Sequence, residues 1–241
     1  MAVLSIDTSA AIAVALVSDD GERLASRAVD ERRRHAERLA PLVAEVLAEA
    51  GLTRADVTAV VAGTGPAPFT GLRVGLVTAR TLALALGVPV LGVPSLDAVA
   101  VQAVADLGLT PDDEVLVAAD ARRKEVYWAR YRVVAHEGPH GVPVVETVAG
   151  PDVGKAADVA AGLAPVPAGA RLAVVGEGAA LYPEPLALDG DDAPTLPDAV
   201  VLARVALQRR AAGLPLPHEP LYLRRPDVHE PARTATAVRG A

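Results

Sequence analysis

Cysteine is absent from this chain of 241 residues. That absence removes thiol nucleophiles, cysteine-ligated zinc, iron–sulfur clusters and a disulfide framework from consideration, and it agrees with the cytoplasmic location expected for the chain. Aromatics are scarce, with one Trp, one Phe and four Tyr making up 2% of the residues. Lysine occurs twice, at Lys124 and Lys155, against twenty-one arginines. There are five serines and no Gly-x-Ser-x-Gly elbow, so an acyl-transfer triad has no support. The start, Met1-Ala2-Val3-Leu4-Ser5-Ile6-Asp7, has no basic region and meets a carboxylate at once, so neither a signal nor a transit peptide is expected there. The longest uncharged stretch, between Arg80 and Asp97, is broken by Gly87 and Pro89. It falls short of the ~20 residues of a spanning helix, and no membrane segment is expected.

What is present is a globular composition, 51% hydrophobic and 22% charged, with a formal charge of −7. The length allows one large domain or two modest ones. Residues 1 to 120 hold nine arginines and sixteen acids, whereas the remainder holds fourteen basic residues and fourteen acids, so the net negative charge lies in the front half. Nucleic-acid binding draws most of its affinity from cations on phosphates, which makes such a chain a poor lone binder of tRNA or DNA. Alanine is so frequent that alanine-rich helical stretches carry little weight.

The front half reads as an apolar strand at 3–6, a second at 11–17, an Asp19-Asp20-Gly21 turn and an alternating strand at 22–29, a hairpin signal. A helix follows, beginning near His35, with Leu39, Leu42, Val43, Val46 and Leu47 on one face, Pro41 placed in its first turn and Gly51 closing it. Next come a strand at 57–61, a Gly/Pro loop, a long apolar helix over 72–86 and a short strand at 88–93. The second half repeats this order more weakly. Strands are expected at 114–119, 125–134 and 142–148, a helix at 152–163, a strand at 171–175, a turn at Gly176-Glu177-Gly178 and a helix at 198–212. Leu4-Ser5-Ile6-Asp7 and Val117-Ala118-Ala119-Asp120 are comparable runs, each an apolar strand ending in Asp. The repeat implies two α/β lobes facing a cleft. The segment 214–220, with three prolines, reads as a rigid connector, and 224–241 as a flexible tail.

Asp7 and Asp120, at two strand ends, are placed to hold magnesium or water near a nucleotide phosphate, or else to accept backbone N–H bonds in turns. The stretch Gly63 to Gly75 puts glycines between a strand and a helix but lacks the Lys of a P-loop. Gly71, Gly75 and Ala79 recur every four residues beside Leu72 and Leu76, a flat ridge that suits either core packing or a second helix. His136 and His140 are four apart, but Gly138 and Pro139 between them break the helix that a zinc pair would need. No catalytic residue and no metal site are assigned.

Together, Leu4-Ser5-Ile6-Asp7-Thr8-Ser9, His35-Ala36-Glu37-Arg38-Leu39, Phe69-Thr70-Gly71-Leu72-Arg73-Val74-Gly75, Pro94-Ser95-Leu96-Asp97, Asp120-Ala121-Arg122 with Val126-Tyr127, and Pro220-Leu221-Tyr222-Leu223-Arg224 resemble the TsaB (YeaZ) family of tRNA threonylcarbamoyladenosine biosynthesis proteins. The resemblance spans about 220 residues in order. It implies an α/β fold of the actin-like, sugar-kinase and Hsp70 type, with a ribonuclease-H-like lobe at 1–100, a second lobe at 101–223 whose last helix can pack back on the first, and the tail. It also implies a non-catalytic subunit that heterodimerises with TsaD, joined by the ATPase TsaE, while threonylcarbamoyl is placed on the adenosine next to the anticodon of tRNAs reading A-starting codons. tRNA would then be met through the complex, and a homodimer can form when TsaD is absent. Weak nucleotide contacts are assigned to Asp7, Thr8 and Asp120, with ATP or ADP and magnesium at the subunit contact as the only cofactor suggested. The partner interface is assigned to His35, Leu39, Leu42, Val43, Val46, Gly71, Leu72, Gly75, Leu76 and Ala79. Where the family has Gly-Ser before Phe-Thr-Gly-Leu-Arg this chain has Ala67-Pro68, a stiffer loop that weighs against nucleotide contact there. The alternatives are a nucleotide-dependent phosphotransferase using Asp7 and Asp120, and a metallopeptidase, for which the metal-binding helix of TsaD-like proteins has no counterpart in residues 1 to 100.

Overall fold

A computed structural model describes residues 1–30 and 34–224; the tail assigned to 224–241 therefore lies outside the described residues except for Arg224. Two sheets organise the chain. The first takes β1 (Ala2–Asp7), β2 (Ile12–Ser18), β3 (Arg23–Val29), β4 (Val57–Gly63) and β5 (Val90–Val93) in the order β3-β2-β1-β4-β5. The meander β1–β3 is antiparallel, whereas β4 and β5 run parallel to β1 after crossovers through α1 (His35–Glu49) and α2 (Phe69–Leu86). After α3 (Ser95–Asp106), the second sheet takes β6 (Glu114–Asp120), β7 (Glu125–Ala135), β8 (Val144–Lys155) and β9 (Leu172–Val175) in the order β8-β7-β6-β9. Its antiparallel meander, crossover helix α4 (Ala156–Gly162) and parallel β9 repeat the plan of the first lobe. Two helices complete the chain, α5 (Glu177–Leu181) and α6 (Ala199–Ala211).

Strands β1 and β2 are buried along almost their whole length because both faces of the first sheet are covered, which turns alternation into a continuous apolar run. Leu4, Ile6, Ile12, Val14 and Leu16 point toward α1 and α2. Val3, Ala13, Ala15 and Val17 point the other way, toward Leu202, Ala203 and Ala206 of α6. The second sheet is built likewise, with Val115 and Val117 facing Leu96, Val99 and Ala100 of α3, and Leu116 and Ala118 facing Ala156, Val159 and Ala179 of α4 and α5. Helices α3 and α6 are thus exchanged, each packing on the sheet of the other half. Asp97 fixes the crossing, accepting from Tyr131 Oη on β7 at 2.7 Å and from Arg209 on α6 at 2.5 Å. The division placed at residue 100 falls inside α3, whose Leu96, Val99, Ala100, Ala103 and Val104 pack on the second sheet while Ala98 and Val101 face the cluster of α6 and the first sheet.

Several local expectations change. Residues 152–155 extend β8 rather than opening a helix, because this edge strand continues to pair with β7 at Val126 to Trp128, and Pro151 is tolerated at an edge. Gly176 to Gly178 is the start of α5 rather than a turn. Pro41 lies in the second turn of α1, because the helix begins at His35. Among the described residues α2 is the one helix long and apolar enough, at a mean hydropathy of 1.3, to cross a membrane, yet it packs Leu72, Leu76, Ala79 and Ala83 into the core of the lobe. The connector 214–220 runs beside β5, where Gly92 N–H donates to Leu216 O at 3.1 Å, and Leu221 N–H donates to Thr64 O at 2.9 Å. A Cβ at Gly92 would overlap the Pro217 carbonyl.

Because Leu202 is fully buried between α6 and the first sheet, Leu202→Ala should cost about 2–5 kcal/mol. Urea unfolding measures this, and a loss below about 1 kcal/mol would refute a shared core at that helix.

Candidate functional site

The strand ends of β1 and β6 meet across the junction of the two halves. A cleft of about 510 Å³ lies there, lined by Thr8, Ser9, His35 and Thr70 from the first half and by Asp120, Arg122 and Glu177 from the second. A narrower recess, also bordered by Asp120 and Glu177, reaches Pro66 and Ser95 and has only about 20 Å³ open to a water-sized molecule. The structure thus brings Thr8 and Asp120, two of the three residues assigned weak nucleotide contacts, together in one lining, from which Asp7 is absent.

Asp7 lies beneath that lining, 1% exposed. Its Oδ1 accepts from Ser9 N–H at 2.8 Å and from Ser9 Oγ at 2.6 Å, and its Oδ2 accepts from Ser95 Oγ at 2.5 Å. Only a glycine fits at position 63, since a Cβ there would overlap Asp7 Oδ2. Burial raises the Asp7 carboxyl above its ordinary value of 3.8; the hydrogen bonds from Ser9 and Ser95 and the nearby His35 oppose that rise. Asp120 repeats the turn in a more open setting. Its Oδ1 accepts from Arg122 N–H at 2.8 Å, and its Oδ2 lies 3.1 Å from the exposed Arg122 guanidinium. Both aspartates therefore terminate a strand by capping the N–H two residues on, which is the structural alternative to metal binding raised for them.

Thr8 is held just as closely. Its Oγ1 donates to Gly71 O at 2.8 Å and accepts from Gly75 N–H at 3.0 Å, and a Cβ at Gly75 would overlap that oxygen. The ridge of Gly71, Gly75 and Ala79 therefore meets Thr8 and the first sheet instead of a partner helix. Leu39, Leu42, Val43, Val46, Leu72 and Leu76 are likewise buried in the core of the lobe, and only His35 and Gly71 of the ten assigned interface residues reach the cleft. The physical reason is that an amphipathic stripe on a crossover helix is spent on its own sheet. A different face is left over. On α2, Phe69, Val77 and Leu84 are 37%, 59% and 85% exposed, and with Arg73 they fall on one side at helical spacing. The Arg73 guanidinium lies 3.5 Å above the Phe69 ring and its Nε donates to Tyr222 Oη at 2.8 Å, while the Phe69 and Tyr222 rings sit 5.1 Å apart. The signal for this face was present as apolar residues left outside the buried stripe. Ser95 stood in the sequence only within the Pro94-Ser95-Leu96-Asp97 resemblance, with no sign of its partner Asp7, 88 residues away.

Among the described residues no group of three or more His, Asp or Glu side chains is arranged to hold a metal ion. His136 and His140 contact backbone carbonyls of Leu109 and Asp20 instead.

Two ribonuclease-H-like lobes with strand-terminal aspartates at their junction define an α/β protein of the actin-like class. The family model described as TsaD, tRNA N6-adenosine threonylcarbamoyltransferase, matches residues 29–214. YeaZ from Pseudomonas aeruginosa is similar in structure, with a TM-score of 0.72 and 30% identity over 92% of this chain and 100% of that one. The uncharacterized protein Rv3421c of Mycobacterium tuberculosis is 43% identical over 94% of this chain and 93% of its own length. TsaB of Escherichia coli is 37% identical over 132 residues, and the match spans only 55% of either protein. ML0378 of Mycobacterium leprae, 43% identical, is likewise covered over 55% of its length. The chain belongs to the TsaB (YeaZ) family.

The raised carboxyl of Asp7 has a signed consequence. A carboxyl that binds its proton more tightly folded than unfolded makes stability fall as pH rises from 3.8 through the raised folded value. Asp7→Asn should therefore gain stability relative to the parent chain as pH is raised from 3.8. Urea midpoints at rising pH decide it, and a difference that stays flat with pH would contradict a buried, strained carboxylate at this position.

Proposed function

We propose that this chain is the non-catalytic, TsaB-type subunit of the cytoplasmic complex that places threonylcarbamoyl on the adenosine next to the anticodon of tRNAs reading A-starting codons. It acts by heterodimerising with TsaD, with TsaE joining the pair and tRNA held through the complex. Family membership supports the pathway. The observation that carries the scaffold role is the outer face of α2, where Phe69, Val77 and Leu84 stay exposed on a helix whose opposite face is fully used. Burying such a stripe against a partner helix is what a subunit contact needs, and the same stripe suits a homodimer when TsaD is absent. His35 and Gly71 lie where such a contact would border the cleft, which makes the cleft, with Thr8 and Asp120 in its lining, the place for ATP or ADP with magnesium if a nucleotide belongs to the subunit contact.

The phosphotransferase alternative is less well supported. It needs Asp7 and Asp120 to present carboxylate oxygens to a metal, yet those of Asp7 are buried and engaged by Ser9 and Ser95, and Asp120 is engaged by Arg122. The peptidase alternative finds no supporting group among the described residues.

Reconstitution with threonylcarbamoyl-adenylate, tRNA, TsaD and TsaE of the same organism tests the proposal, with and without this chain. Product should require the chain, which alone should yield none. Val77→Asp with Leu84→Asp should leave the melting temperature nearly unchanged, because both side chains are exposed, and should weaken TsaD binding and modification by about tenfold or more. Equal product without the chain, or full binding by the double variant, would remove the scaffold role or its proposed surface respectively.

A further inference from the structure

The two repeats differ most in the helices that cover the outer face of each sheet. In the first half these are α1 and α2, with 15 and 18 residues; in the second, α4 and α5 have only 7 and 5. The shortened pair leaves a cavity of about 840 Å³ walled by Leu181, Tyr182, Pro183 and Pro185. Lys124 and Lys155 border it, and they are the two lysines of the entire chain. Strand register brings them together, since Glu125 pairs with Lys155 at the start of β7. Neither lysine has an ion-pair partner among the described residues.

The turn that presents Lys124 is unusual. Arg122, Arg123 and Lys124 have φ of 63°, 57° and 62°, three successive left-handed residues at positions that Gly or Asn would occupy with less strain. Such strain persists where the side chains serve a site: Arg122 lines the interlobe cleft and pairs with Asp120, while Lys124 borders this cavity.

We propose that this cavity binds a nucleoside phosphate unit, with its phosphate at Lys124 and Lys155 and its base along Tyr182 and the prolines. Two ammonium groups match the charge of a phosphate monoester. A tyrosine ring and proline faces suit a flat base, and the one carboxylate on the rim, Glu184, accepts from ribose hydroxyls or an exocyclic amine. About 480 Å³ of the cavity is open to a water-sized molecule, within the ~300–1,000 Å³ common for small-ligand sites. The site is separate from the interlobe cleft and from the outer face of α2, so it stands independently of the scaffold role. Its ligand is either a free nucleotide or a nucleotide within an RNA strand.

Calorimetric titration of the full chain with AMP, inorganic phosphate and a short single-stranded oligoribonucleotide tests this. AMP should bind at least about tenfold more tightly than phosphate, and Lys124→Gln with Lys155→Gln should weaken AMP about tenfold or more without lowering the melting temperature, since both lysines are exposed. Tyr182→Ala should erase the advantage of AMP over phosphate. An oligonucleotide that binds more tightly than AMP and shares the lysine dependence identifies RNA as the source; AMP binding alone identifies a free nucleotide. The proposal is overturned if AMP fails to bind at millimolar concentration, if the lysine variant binds it unchanged, or if phosphate binds as well as AMP.

Discussion

The buried carboxylate of Asp97 holds the two halves in one fold. It sits between Tyr131 of the second sheet and Arg209 of the helix that covers the first, at the point where α3 and α6 cross. Each sheet has a second apolar face that its own half does not cover, and the exchange supplies the cover. A carboxylate at such a depth is costly unless it is fully paired, and here both oxygens are engaged by partners from different elements. The cleft inherits its shape from that crossing, because α3 carries Ser95 to Asp7 at one end and Asp97 to the crossing just beyond it.

Close approach is the second organising device. Gly63, Gly75 and Gly92 each stand where a Cβ would overlap a neighbouring oxygen, of Asp7, Thr8 and Pro217 respectively. The first two let β4 and α2 press against the end of β1, leaving Thr8 and Ser9 as the floor of the cleft. The third lets the connector lie against β5, continuing to Tyr222 and to Arg224, which donates to Ala121 O and pairs with Glu125. The connector thereby touches both halves.

Much of this was legible in sequence because it rests on short-range pattern. The Asp-Gly hairpin, the stripe of Leu39, Leu42, Val43 and Val46, and the matching strand ends at Asp7 and Asp120 all follow from local periodicity, and the two-lobed plan follows from their repetition. Other features needed the fold. Helix α3 is apolar on nearly every side because it lies between a sheet and another helix, so it offered no amphipathic signal, and its alanines were indistinguishable from compositional bias. The Gly71, Gly75 and Ala79 ridge was legible as a surface of close contact, but a small-residue ridge does not state whether the contact is with Thr8 or with another chain. The continuation of β8 to Lys155 depended on pairing with β7, which an exposed edge sequence does not encode.

The exchanged helices also set the order in which the molecule can be completed. As the chain emerges from the ribosome, β1 to β5 and their two outer helices are available early, while α6, which closes the inner face of that sheet, follows more than a hundred residues later. Until then Val3, Ala15, Val17 and Val61 lack the part of their cover that α6 supplies. The inner face of the first sheet therefore waits for the last helix, whereas the inner face of the second sheet is covered by α3, which is made before the sheet it packs on.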